Sequence, residues 1–206
     1  MNAFRQHRGL VVPLRRNDID TDQIVPKQFL AVTTRSRFDR ALFHGWRVRA
    51  DGTPDPAFPL NQLPYAGGSV LAAGRNFGCG SSREHAAWAL VDAGFRAVIA
   101  PSFADLFFAN AVANGLLPVA LPAAVVDMIT DRAEGATGYV VSIDLVRRCV
   151  TDEHGLETPF TLDEGCRDRL LRGIDSISLT LAQEPAIDAF ERRHEAGERR
   201  EPRTAD

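Results

Sequence analysis

Gly78-Cys79-Gly80-Ser81-Ser82-Arg83-Glu84-His85 is the stretch on whose reading the fold depends. It lies between two short apolar runs, Ser69-Val70-Leu71-Ala72-Ala73, closed by Gly74, and Arg96-Ala97-Val98-Ile99-Ala100, closed by Pro101. Each run has the length of a buried strand. Ala86 to Ala93 is helix-forming sequence stopped by Gly94, where a left-handed residue commonly ends a helix. The unit is therefore strand, glycine turn, helix, strand. Such a crossover sets a helix N-terminus at the carboxyl end of a strand, where unpaired amides and the helix dipole attract a carboxylate or an alkoxide.

Gly78 and Gly80, lacking a Cβ, let backbone approach a ligand closely. Ser81 and Glu84 have the S-x-x-E spacing of a capping box, so one reading is that Ser81 only satisfies orphan donors. Capping leaves Arg83 unexplained. A cation at a helix start opposes the dipole, and a nearby anion would account for it. Three common motifs fail here: no Lys follows the glycines as a Walker loop requires, Arg83 stands where a dinucleotide fingerprint needs Gly or Ala, and Gly80-Ser81-Ser82-Arg83 is no nucleophile elbow. Cys79 near a helix start suggests a thiol of lowered pKa, but a nucleophile needs a histidine base, and His85 reads better as a hydrogen-bonded core residue.

The 206 residues suffice for one well-filled domain, and 45% hydrophobic with 25% charged residues is an ordinary globular composition. A net charge of -3 without a basic stripe argues against a nucleic-acid binder. Cys79, Cys149 and Cys166 are widely spaced and odd in number, which implies neither a disulfide framework nor a metal knuckle. The N-terminus lacks the apolar core of a signal peptide, and the most apolar region, Ala111 to Met128, is interrupted by Asn114, Gly115, Pro118 and Pro122. A soluble, cytoplasmic protein with no membrane partner is expected.

Before the central unit, Gly9 to Leu14 reads as a strand entering a polar turn, Arg15 to Asp18. Asp18, Asp20 and Asp22 alternate, but an EF-hand loop would need Gly and Glu where Gln23 and Phe29 stand. Asp51 to Gly68, with four prolines, is a surface excursion. After it, Ser102 is expected to cap a helix with Asp105 at its third position and Gly115 at its close, followed by a strand at Leu116 to Leu121 and a helix opened by Pro122. Phe103, Phe107 and Phe108 sit at helical spacing and are expected in the core. Gly138 to Asp144 and Val146 to Val150 make a strand pair, Thr158 to Thr161 a short further strand, Asp163 to Leu171 a helix ending at Gly173, and Ala182 to His194 a last helix. Residues 1–193 are expected as one domain and 194–206 as a disordered charged tail.

Arg75-Asn76-Phe77-Gly78-Cys79-Gly80-Ser81-Ser82-Arg83-Glu84-His85-Ala86 resembles the signature of the aconitase swivel-domain family, in the form carried by small subunits of 3-isopropylmalate dehydratases. Further blocks match in order: Ile19 to Leu30, Ile99 to Asp105, Asn114 to Pro118, and Gly173 to Leu181. Small departures are Ala87 in place of a frequent proline and Ser178 in place of a glycine. The resemblance implies an α/β fold of three layers, β/β/α, and the isomerisation of 2-isopropylmalate and 3-isopropylmalate through a dehydrated intermediate in leucine biosynthesis. It makes Ser81 the base and Arg83, with Ser82, the holder of a substrate carboxylate. Asp20-Thr21-Asp22 would lie beside the substrate mouth in a supporting polar role. Leu30, Ala31 and Val32 stand on a loop that discriminates among substrates and suit an isopropyl group, whereas Arg35 and Arg37 on the same loop could reach an acidic substituent.

The reaction also needs a Lewis acid, which aconitase-type enzymes hold as a 4Fe-4S cluster on three cysteines, two of them in C-x-x-C. That spacing is missing here, so the cluster is expected on a large-subunit partner, with no metal held by this chain. Two rival readings are a related hydro-lyase component acting on citraconate, a methylmalate or homoaconitate, and a non-catalytic RNA-binding regulator, which the acidic charge disfavours.

Overall fold

The strand Gln6–Leu14 (β1) changes partners halfway along its length. Its first part pairs antiparallel with Val140–Asp144 (β5), Gln6 opposite Asp144 and Leu10 opposite Val140. Its second part pairs parallel with Val70–Ala73 (β2), Val11 opposite Val70 and Leu14 opposite Ala73. Around β1 the computed structural model builds a mixed sheet. Val70–Ala73 continues into Ala97–Ala100 (β3) and Leu117–Ala120 (β4), all parallel, while Val140–Asp144 continues antiparallel into Cys149–Asp152 (β6) and Glu157–Pro159 (β7). Among the described residues the strand order is β4-β3-β2-β1-β5-β6-β7. The structure describes residues 1–30, 38–174, 180–181 and 183–198, and the chain divides into two compact units, Met1–Gly173 and Ile174–Asp206.

All four residues of β2 and all four of β3 are buried, as strands covered on both faces must be. One face, with Val11, Val70, Ile99 and Val119, joins a core with the antiparallel strands through Val141, Ile143 and Val150. The other face, with Val12, Leu71, Val98 and Ala100, packs on helices and on the segment from Ile19 to Phe43. The result is the expected three layers, β/β/α.

Among the described residues the α-helices of the first unit are Thr21–Ile24 (α1), His44–Arg47 (α2), His85–Asp92 (α3), Asp105–Ala113 (α4), Ala123–Gly135 (α5) and Glu164–Arg172 (α6). Pro122 precedes α5, and α6 runs from an Asp163 side-chain cap to a left-handed Gly173, both as the sequence suggests. The phenylalanines expected in the core are there, Phe107 fully and Phe103 and Phe108 in part. The second unit contains Glu184–Glu198 (α7), so residues 194–198 are helical rather than part of the tail expected from composition; 199–206 lie outside the described residues.

Two expected caps are absent. α3 begins at His85 with no side-chain cap, four residues after Ser81, and α4 begins at Asp105 without a cap from Ser102. The hydroxyl of Ser102 instead accepts the Asn76 N–H at 2.8 Å. In each case a residue from a neighbouring loop has taken the bond that a local cap would have used.

The antiparallel layer is fastened to α5 by a buried carboxylate. Asp152, whose side chain is inaccessible, accepts the Tyr139 hydroxyl at 2.6 Å and pairs with Arg132 through Oδ2, while Oδ1 accepts the N–H groups of His154 and Leu156, each at 2.8 Å. Burial alone would raise its pKa. The hydrogen bonds from Tyr139, the two backbone amides and Arg132 outweigh burial and hold it below the usual carboxylate range. A depressed native pKa means that this stabilisation is present above the unfolded value, near about pH 4, and is lost as pH falls through the native value. Asp152→Asn is therefore expected to lower unfolding free energy by about 3 kcal/mol at pH 7 in denaturant titrations. The gap to wild type should narrow as the titration is repeated at successively lower pH below the unfolded carboxylate value, as the native carboxylate gives up its own charge.

Candidate active site

Three loops leave the carboxyl ends of the parallel strands and run beside one another as short extensions of the sheet. The loop after β1 meets the loop after β2 where the Gly78 N–H donates to the Ile19 carbonyl at 2.7 Å and the Thr21 N–H to the Cys79 carbonyl at 2.9 Å. The loop after β2 meets the loop after β3 where the Phe77 N–H donates to the Ser102 carbonyl and the Ala104 N–H to the Phe77 carbonyl, both at 3.0 Å. Gly78 has a φ of +78°, and a Cβ there would lie 2.2 Å from the Phe107 ring. Only glycine fits that turn. Gly80, at φ +91°, sends the chain out again toward Ser81.

This weave sets Ser81 against Thr21. The Thr21 hydroxyl accepts the Ser81 N–H at 3.2 Å and lies 3.0 Å from Ser81 Oγ and 3.2 Å from the Ser81 carbonyl oxygen. Thr21 is 2% exposed, so it is a support inside the protein, whereas Ser81 stands at the surface. Its single hydroxyl proton can go to the Ser81 carbonyl or to Oγ. Donation to Oγ strengthens as Oγ gives up its own proton.

The next residue of α1 reaches the next candidate side chain. Asp22 forms an ion pair with Arg83, whose side chain is largely enclosed, and Lys27 Nζ lies 3.7 Å from the other Asp22 oxygen. Asp20 is occupied with capping α1: its carboxylate accepts the Gln23 N–H at 2.7 Å, and the Gln23 side chain accepts the Asp20 N–H at 3.0 Å. Ser82 is exposed, and its carbonyl accepts from Asn110 at 3.3 Å. Glu84, expected to cap, instead accepts from Asn114 at 2.8 Å. Leu30 is half-buried against the helical-side core; Ala31, Val32, Arg35 and Arg37 lie outside the described residues.

The helix-start amides expected around Ser81 are displaced by the late beginning of α3, and the partner of Ser81 Oγ among the described residues is a threonine hydroxyl instead. Cys79 also departs from expectation. Burial pushes its thiol pKa up, and Asp20 and Asp18 push it further, the opposite of an activated nucleophile. His85 packs its ring on Trp88 at 4.7 Å and Phe38 at 5.4 Å, as a core residue would. Asp22 is the residue whose task the sequence did not reveal: nothing in its spacing says that it meets a side chain from another loop. Among the described residues no three His, Cys, Asp or Glu side chains gather as a metal site.

The family model for the aconitase C-terminal domain matches residues 1–124, and that for the C-terminal domain of the 3-isopropylmalate dehydratase small subunit matches residues 176–196. A 3-isopropylmalate dehydratase small subunit from Shewanella amazonensis is 51% identical over 195 residues, covering 94% of this chain and 97% of that one. One from Brevibacillus brevis is 50% identical over 193 residues, covering 94% of this chain and all of its own. A crystal structure of 3-isopropylmalate dehydratase from Methanocaldococcus jannaschii superposes with a TM-score of 0.65 at 28% identity, over 90% of this chain and 99% of that one.

Proposed function

The chain belongs to the 3-isopropylmalate dehydratase small-subunit family, aconitase-type hydro-lyase components of leucine biosynthesis, and on that footing we propose that Ser81 is its base and Arg83 its substrate anchor. The observation that carries this reading is the pair of grips from α1: Thr21 on Ser81 and Asp22 on Arg83. A structural serine turn needs neither.

Isomerisation of 2-isopropylmalate and 3-isopropylmalate begins with removal of a proton from carbon adjacent to a carboxylate. A serine hydroxyl is too weak an acid to be deprotonated unaided. Here the alkoxide is stabilised by the Thr21 hydroxyl at 3.0 Å and by the positive field of Arg83. Arg83 presents its unshared N–H groups to a substrate carboxylate, with the exposed Ser82 hydroxyl beside it. Leu30 begins the loop we assign to the isopropyl group, together with Ala31 and Val32.

The three cysteines do not fit an iron–sulfur cluster, since Cys79 sits in the glycine turn, Cys149 is buried on β6 and Cys166 lies on α6. We assign the Lewis acid that takes up the substrate hydroxyl to a 4Fe-4S cluster on the large subunit. The chain's own share is proton removal and carboxylate binding. Ser81 and Ser82 are exposed, and a surface closing over them would exclude water from the proton transfer. No described helix is long and apolar enough to cross a membrane, and we place the enzyme in the cytoplasm.

The test is reconstitution. The purified chain should show no isomerase activity with either substrate, and adding the large subunit should produce it. Turnover by the chain alone would overturn the division of labour.

A further inference from the structure

Asp22 itself neither removes the proton nor binds the carboxylate, yet it is built into the site. Its Oδ1 and the Arg83 Nη1 that it faces are both closed to solvent and make no hydrogen bond elsewhere among the described residues, so each depends on the other for neutralisation. The Arg83 side chain is only 21% exposed. Lys27, at 75% exposure and 3.7 Å from the second Asp22 oxygen, is a solvated neighbour by comparison.

We propose that Asp22 is the positioning residue for Arg83. It holds one end of the guanidinium so that the remaining N–H groups stay directed at the site of a substrate carboxylate. The inference rests on the reading of Arg83 as the carboxylate anchor. Arginine binds a carboxylate best through two parallel N–H bonds, which needs a fixed plane, and its long side chain does not fix that plane by itself. The carboxylate that fixes it is itself rigid, because α1 is tied at its start by the Asp20–Gln23 capping box and by the Thr21 N–H on the Cys79 carbonyl. Since Thr21 holds the base and Asp22 the cation, two consecutive residues set the spacing between Ser81 and Arg83. A loosened Arg83 would bind substrate more weakly, while its charge stays beside Ser81 and the Thr21 contact to Oγ is untouched.

The experiment is steady-state kinetics on the heteromer assembled with the large subunit, using 3-isopropylmalate, for wild type, Asp22→Asn, Asp22→Glu and Arg83→Lys. Asp22→Asn keeps the shape and removes the charge. It should raise KM about tenfold to a hundredfold, the worth of one hydrogen bond to a charged group, with kcat within about threefold. Asp22→Glu, which restores the charge, should recover part of the KM. A merely structural role would move the thermal midpoint of the small subunit and leave KM where it was. Unchanged KM in Asp22→Asn, with KM raised in Arg83→Lys, overturns the role of Asp22 alone. A lowered KM would make Asp22 a competitor of substrate and overturns it too. Unchanged KM in Arg83→Lys removes the anchor reading of Arg83 and this inference with it.

Discussion

Replacing Ser81 with alanine should reduce kcat of the assembled enzyme by about 10²- to 10⁴-fold, the range contributed by a positioned general base, while KM stays within a few-fold. The two constants separate if, as we propose, Ser81 acts on the reacting carbon and Arg83 on the carboxylate, since removing an oxygen that matters only in the transition state leaves ground-state binding intact. Stability should change little. Ser81 is at the surface, and its hydroxyl contact, with Thr21 at 3.0 Å, is one of three that Thr21 makes to that residue; the Ser81 N–H and carbonyl contacts survive the substitution. Circular dichroism melts of the free small subunit and initial rates of the heteromer check both halves. Turnover retained to within tenfold would remove Ser81 from the chemistry.

The second large effect is expected at Gly78→Ala. A Cβ there meets the Phe107 ring at 2.2 Å with φ at +78°, so the substitution combines a left-handed non-glycine residue with overpacking. Those two costs together come to about 2–5 kcal/mol. Phe107 cannot turn aside: it is 2% exposed and held by Phe77 at 5.0 Å and Phe103 at 6.3 Å between ring centres. Either the ring or the turn must shift, and the turn carries the Gly78 N–H bond to Ile19 that keeps Thr21 abreast of Ser81. Urea unfolding should therefore show a large loss of stability, and the heteromer should lose turnover as well. Gly52→Ala is the matched control, at φ +82° with nothing within 4 Å of a Cβ. Its cost should stay near the left-handed penalty of about 1–2 kcal/mol. Equal losses at the two positions would mean that Phe107 yields.

The parallel unit was legible because its signals are local. Apolar runs bounded by Gly and Pro located β2 and β3 to within a residue, and Pro122, Asp163 and Gly173 marked helix ends where the structure has them. What the sequence hid is tertiary competition for short polar side chains. Ser81 and Glu84 have the spacing of a capping box, but Thr21 and Asn114 reach them first, and α3 starts without either. Ser102 went the same way, to Asn76. The functional cluster was half visible: the signature turn announces Ser81 and Arg83, while their supports come from another loop, and no periodicity relates residues 21 and 22 to residues 81 and 83. The midpoint change of partner along β1 left no compositional mark either, since Leu10 and Val11 suit both pairings equally.

That divided strand bears on how the half-site is carried. Its backbone runs through both pairings without interruption, so the parallel and antiparallel parts of the sheet cannot shear apart without stretching the same peptide units. Seven residues beyond its end lies Thr21, the threonine under Ser81. The antiparallel strands are thus joined to Thr21 by one backbone, and Thr21 to the oxygen we assign as base by a hydroxyl contact at 3.0 Å, so the first unit would offer a large subunit a stiff tool rather than a pliable one.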